Sequence, residues 1–170
     1  MTFKKILSFA ASTIKFILLF ILISKSHADE NTNKFYSKDE GIISIMYHRF
    51  NENKYPSTNI QMDAFKKHVQ IIESNNLDYI LPIRFLEDFN KPKLQKKVLI
   101  TIDDGFSSFY ENAWPYLKEN KIPFILFVST EPVGTKGYMT WDQIKEIEKE
   151  RYVFIGNHSH SHEYLLNFNH

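Results

Sequence analysis

Cysteine is absent from the chain, which excludes disulfide bonds and thiol catalysis and leaves the redox compartment undetermined. An excess of either charge is missing too. Lys and Arg number 21 against 20 for Asp and Glu, so the electrostatic footprint of a nucleic-acid binder is not there and no nucleic-acid partner is expected. There is no internal repeat and no low-complexity segment. The unbroken apolar stretch Phe16 to Ile23 is shorter than the roughly 20 residues needed to span a bilayer. What is present is a length of 170 residues, which suits one domain and can bury a real core.

Residues 1–28 read as a processing segment. Lys4 and Lys5 give a positive start, Phe16 to Ile23 the apolar stretch, and Ser26-His27-Ala28 the small residues before a cleavage point. Export to the periplasm, the cell envelope or the medium is the expected consequence. An uncleaved anchor from Ile6 to Ser24 is the alternative, with Lys15 in its middle, and it is the sole route to a membrane that the sequence offers. Residues 29–40 are polar and read as a loose lead-in.

From residue 41 the pattern alternates strand and helix. Gly41 to His48 is a first strand ending in a titratable group. His48 reads as a strand-end His that only hydrogen-bonds the backbone. A turn-rich loop follows, and loops at strand C-termini are where such folds keep their binding residues. Met62, Phe65, Val69 and Ile72 recur at helical spacing, which predicts an amphipathic helix ending near Asn75-Asn76 with Lys66, Lys67 and His68 on its wet face. Tyr79 to Leu81 reads as a short strand, Pro82 to Phe89 as a short helix, and Lys91 to Lys97 as a basic connector. Later come a Ser-x-x-Glu capping box at Ser108 with Pro115 kinking or restarting the helix, the apolar strand Phe124 to Val128, and a Pro- and Gly-punctuated loop from Thr130 to Tyr138. A second capping box at Thr140 opens a helix predicted to turn Trp141, Ile144 and Ile147 inward. About five strands separated by helices predict an α/β fold with a parallel sheet.

Two stretches carry chemistry. Val98 to Ile102 drives into Asp103-Asp104-Gly105, and carboxylates placed beside a core must find a cation, a hydrogen-bond donor or a proton. A polar turn is the plainer reading, since Asp-Gly is a common turn pair. After the apolar run Tyr152 to Ile155, three histidines occur within His158-Ser159-His160-Ser161-His162. His158 and His162, four apart, share one side of a helix or an extended chain, and His160 points elsewhere. Two neutral imidazoles and one carboxylate form a typical catalytic zinc set with a position left open for water. A polar surface loop is the alternative.

Taken together, Thr101-Ile102-Asp103-Asp104-Gly105 resembles the first motif of the polysaccharide deacetylases, the NodB-homology enzymes of carbohydrate esterase family four, and His158 to His162 resembles the second. Trp114 to Lys118, Ile122 to Val128 and Met139 to Ile144 fit the matter between the two motifs, and the likeness covers roughly residues 41 to 168. The resemblance implies a distorted (β/α) barrel and makes 41–170 the N-terminal part of such a domain, incomplete at about five strands where the full barrel has more. It implies that Asp103 is the general base and that Asp104, His158 and His162 hold a divalent metal, with zinc expected. It also implies hydrolysis of N-acetyl groups on an exported polysaccharide such as peptidoglycan, poly-N-acetylglucosamine or a chitin-like polymer. The family's third motif, with its orienting Arg, and its late Leu-x-His segment do not occur before His170, and no motif assigns their roles to His48, His160 or His170. A truncated relative that retains only metal or glycan binding is therefore the second expectation, with association through an open barrel edge as a corollary.

Overall fold

A computed structural model describes residues 41–90 and 96–163. The leader and lead-in readings, most of the basic connector and His170 lie outside the described residues. The elements in order are β1 (Ile42–Tyr47), β2 (Arg49–Phe50), β3 (Asn59–Ile60), α1 (Met62–Ser74), β4 (Asp78–Tyr79), a 3-10 turn at Pro82–Arg84 running into α2 (Phe85–Phe89), and β5 (Lys97–Asp104). A π-helical turn (Phe109–Ala113) then leads into α3 (Trp114–Asn120), and β6 (Phe124–Val128), α4 (Trp141–Glu148) and β7 (Val153–Asn157) complete the order.

Every pairing in the main sheet is parallel, in the order β1-β5-β6-β7, with β4 also on β5. Lys97 pairs with both Ile42 and Asp78, so β4 and β1 take opposite edges of the central strand. This five-stranded parallel α/β sheet, open among the described residues, is the incomplete barrel expected from the sequence. Within the turn-rich loop, β2 and β3 form a small parallel pair of their own.

Alternation along the strands gives the sheet two unlike faces. Tyr47, Ile100, Ile102, Phe124, Leu126 and Val128 share the face under the helices and form the core with Phe65, Phe109, Leu117 and Ile147. On the opposite face stand Ser44 and Met46, Leu99, Thr101 and Asp103, Ile125 and Phe127, and Phe154 and Gly156, as the register fixes. That face is only partly covered: Met46 is 58% and Phe154 46% exposed. The buried carboxylate of Asp103 stands there.

The helices follow the sequence with three corrections. The Thr140 box forms as expected: Thr140 Oγ1 accepts from the Gln143 N–H at 3.3 Å and Gln143 Oε1 accepts from the Thr140 N–H at 2.8 Å. Ser108 makes no such cap. Its hydroxyl accepts instead from the Phe50 N–H at 3.3 Å, a tertiary bond that ties β2 to the π-helical turn. The helix restarts with Pro115 in its first turn, where the missing N–H leaves no bond unmade. Trp141 is 49% exposed; it opens α4 one turn before Ile144 and Ile147, which do reach the core. His68 is half-buried rather than wet, because its Nδ1 lies 2.8 Å from the Tyr47 hydroxyl across the α1–β1 interface.

Candidate metal centre

β5 delivers its two acids by breaking its own regularity. Adjacent strand residues point to opposite faces, so Asp103 and Asp104 could not serve one site in a continuous strand. At Asp104 φ is 74°, and at Gly105 it is 84°. Left-handed backbone is tolerated by Asp better than by most residues and by Gly without steric cost. Strained non-glycine backbone of this kind concentrates at functional positions. The chain then closes on the loop before α4, with Met139 N–H donating to Gly105 O at 2.9 Å and Ser107 N–H to Gly137 O at 3.0 Å.

The histidines arrive on the turn after β7, which is held from several directions. His158 N–H donates to Val128 O at 3.0 Å, extending the β6–β7 pairing by one step, and Glu131 N–H donates to His160 O at 2.9 Å. Ser129, buried beneath the turn, donates its hydroxyl to His158 O at 3.0 Å. Within the turn Asn157 Oδ1 accepts from the Ser159 N–H at 2.7 Å and Ser159 Oγ from the His162 N–H at 3.0 Å. Ser159 and His162 both take positive φ. His160 faces away, its Nδ1 lying 2.8 Å from Thr130 Oγ1.

The result is three donor atoms in a small triangle. Asp104 Oδ1 lies 3.2 Å from His158 Nε2 and 3.3 Å from His162 Nε2, and the two nitrogens are 3.1 Å apart. The contacts to Asp104 are close but misaligned, so Asp104 Oδ1 is buried without a hydrogen-bond partner among the described residues. At most one proton can sit between the two nitrogens. A tetrahedral cation with bonds of about 2.0–2.1 Å would separate its ligands by roughly 3.3–3.4 Å. Donor types, spacing and the orphaned oxygen fit a divalent metal.

Asp103 lies beside this triangle, with Oδ1 buried and unpartnered as well. Burial pushes its carboxyl above the ordinary carboxylate range and the neighbouring Asp104 adds to that, while the imidazoles of His158, His48 and His162 pull the other way. His48 is therefore within electrostatic reach of Asp103, although it also lines a separate cavity of about 300 Å³ with Met46, Thr58 and Ile60. Next to the triangle opens a cavity of about 350 Å³, whose walls include Asp104, Ser129, Glu131, Tyr138, Ser161 and His162. Sequence reasoning placed a Pro- and Gly-punctuated loop at 130–138 without giving it a binding role or singling out Ser129, Glu131 or Tyr138. The one available signal was the position of that loop, at the C-terminal end of a strand.

Comparison with known proteins shows what the chain is similar to. A family model described as polysaccharide deacetylase matches residues 90–170. The chain is 28% identical over 121 residues to YxkH of Bacillus subtilis, covering 69% of this chain and 42% of that protein. It is 26% identical over 140 residues to the poly-beta-1,6-N-acetyl-D-glucosamine N-deacetylase of Staphylococcus aureus, covering 73% of this chain and 48% of that one. The chain thus spans about half the length of the curated relatives it matches. Among solved structures, IcaB from Ammonifex degensii superposes with a TM-score of 0.63 at 29% identity, over 70% of this chain and 53% of that one. The chain is therefore similar in sequence to polysaccharide deacetylases, and its fold resembles that of IcaB.

Proposed function

We propose that the chain is a metal-dependent hydrolase that removes N-acetyl groups from an exported or cell-envelope polysaccharide. The observation that carries this reading is the triangle of Asp104, His158 and His162 with the buried, unpartnered carboxylate of Asp103 at its side. Asp104, His158 and His162 hold the cation, with zinc the expected one. When bound, such a cation supplies Lewis acidity, which polarises a carbonyl and makes water a nucleophile near neutral pH. Asp103 accepts the proton of the attacking water as its oxygen adds to the acetamide carbon. The C–N bond then breaks as the leaving nitrogen takes the proton that Asp103 accepted from water, giving a free amino sugar and acetic acid, which ionises to acetate. Ser129 and the Asn157 turn keep the imidazoles aimed, which is how outer hydrogen bonds support a metal centre.

The name of the Staphylococcus aureus relative supports an N-acetylated glucosamine polymer as substrate, with peptidoglycan and chitin-like polymers carrying the same acetamide. The leader-like pattern of residues 1–28 supports export. Calorimetric zinc titration of the full chain, beside Asp104→Ala and His162→Ala, tests the reading together with acetate release from an N-acetylglucosamine oligomer. One zinc per chain, lost in both variants and accompanied by acetate, is the expected result. Zinc without acetate would leave a relative that binds and does not turn over. No zinc would overturn the assignment.

A further inference from the structure

The cavity beside the triangle has one wall whose order nothing in the metal centre requires. Tyr138 sits on it, half-buried. Its ring packs on Phe106 with centroids 4.8 Å apart, and its backbone forms an antiparallel bridge to the same residue. Phe106 in turn carries the Arg49 guanidinium 3.4 Å from its ring centroid, and Tyr55 covers the guanidinium's surroundings at 4.1 Å. Arg49 is held there by Glu52, with two contacts of 3.1 and 3.0 Å. A continuous stack from Tyr55 through Arg49 and Phe106 thus fixes the plane of Tyr138. Its hydroxyl makes no hydrogen bond to a described residue, in contrast to Tyr110, which donates to Glu146 at 2.7 Å. The other polar groups around the cavity divide in the same way. The Ser129 hydroxyl is spent on His158 O, while Glu131 and Ser161 offer theirs to the space.

We propose that Tyr138 is the sugar-contacting residue of this cavity, packing its pre-ordered ring against a pyranose of an N-acetylated glycan and giving its free hydroxyl to a ligand oxygen. The inference rests on the function proposed above and adds the residue that positions the substrate. Sugars present apolar C–H faces beside hydroxyl edges, and a tyrosine supplies a matching apolar body with a polar tip. A rigid ring also loses little freedom on binding, which favours affinity. The chemistry asked of Tyr138 is binding alone, with no bond made or broken on it.

The test is calorimetry of the full chain with a tetramer of N-acetylglucosamine, with and without zinc, on the wild type, Tyr138→Phe and Tyr138→Ala. Tyr138→Phe keeps the ring and its packing. A neutral hydrogen bond worth about 0.5–1.5 kcal/mol makes a weakening of roughly 2- to 12-fold the expectation for that variant. Tyr138→Ala should weaken binding by more than about 10-fold, with zinc stoichiometry unchanged in both. Unchanged oligomer affinity in Tyr138→Ala would overturn the proposal, as would a wild type that holds zinc and fails to bind the oligomer. Loss of zinc alone, with oligomer binding still dependent on Tyr138, would sink the metal assignment and leave this one standing.

Discussion

Gly156 is the residue whose replacement tests most directly how the sheet supports the metal centre. A Cβ built there would lie 2.5 and 2.6 Å from two ring carbons of Phe127, its partner across β6 and β7, and 3.4 Å from Ile125 Cγ2. Its φ is ordinary, so Gly156→Ala strains no backbone and the whole effect is steric. Relief requires the Phe127 ring to move by about 1 Å to reach carbon contact near 3.5 Å. Forcing a packed side chain aside in this way costs about 1–3 kcal/mol. Phe127 is also the aromatic neighbour of His158, with centroids 6.3 Å apart, so zinc affinity should fall together with stability. Urea unfolding of Gly156→Ala in the native and Phe127→Leu backgrounds forms a double-mutant cycle, with calorimetric zinc titration alongside. The expected result is the loss above in the native background and less than about 0.5 kcal/mol once the ring is gone, a coupling within the range for residues in contact. An equal loss in both backgrounds would refute the reasoning, because the clash would then lie elsewhere.

Two further outcomes follow from buried tyrosines. The Tyr79 hydroxyl is buried without a hydrogen-bond partner among the described residues, so Tyr79→Phe should leave stability unchanged or raise it by about 1 kcal/mol in urea unfolding, since an unmade buried hydrogen bond costs about that much. Burial pushes Tyr47 up to about 12, whereas an unfolded tyrosine ionises near 10. The contribution of Tyr47 is therefore full below about pH 10 and is lost as pH rises toward 12, because the unfolded chain sheds its proton first. Tyr47→Phe should lessen the fall of thermal midpoint over that alkaline window, and an unchanged slope would count against the assignment.

How much of this was legible depends on the distance over which each residue acts. Asp104, His158 and His162 could be singled out as candidate ligands because donor chemistry is a property of residue type, but the left-handed turn at Ser159 and His162 that brings the two imidazoles together was not visible in their spacing. The Thr140 box was readable because all its partners lie within one helical turn. Ser108 has the same local signature and does something else, since Phe50, far away in sequence, offers its hydroxyl a donor. His68 looked wet until Tyr47 came across the interface. The contact between Gly156 and Phe127 and the stack ending at Tyr138 are products of sheet register and loop closure, which a single sequence does not display. The left-handed turn at Asp104 was hinted at only by the glycine after it.

The all-parallel main sheet has a consequence for the order in which the molecule assembles. No two neighbours in it are joined by a hairpin: Ile42 on the first strand must wait for Lys97, and Asp104 for Val128 and then Asn157. Non-local pairings are slow to form because chain closure precedes their reward. The three candidate metal donors straddle the β6–β7 pairing, so the triangle cannot form before that pairing does. Metal uptake followed in time should therefore report the pairing of β7 with β6.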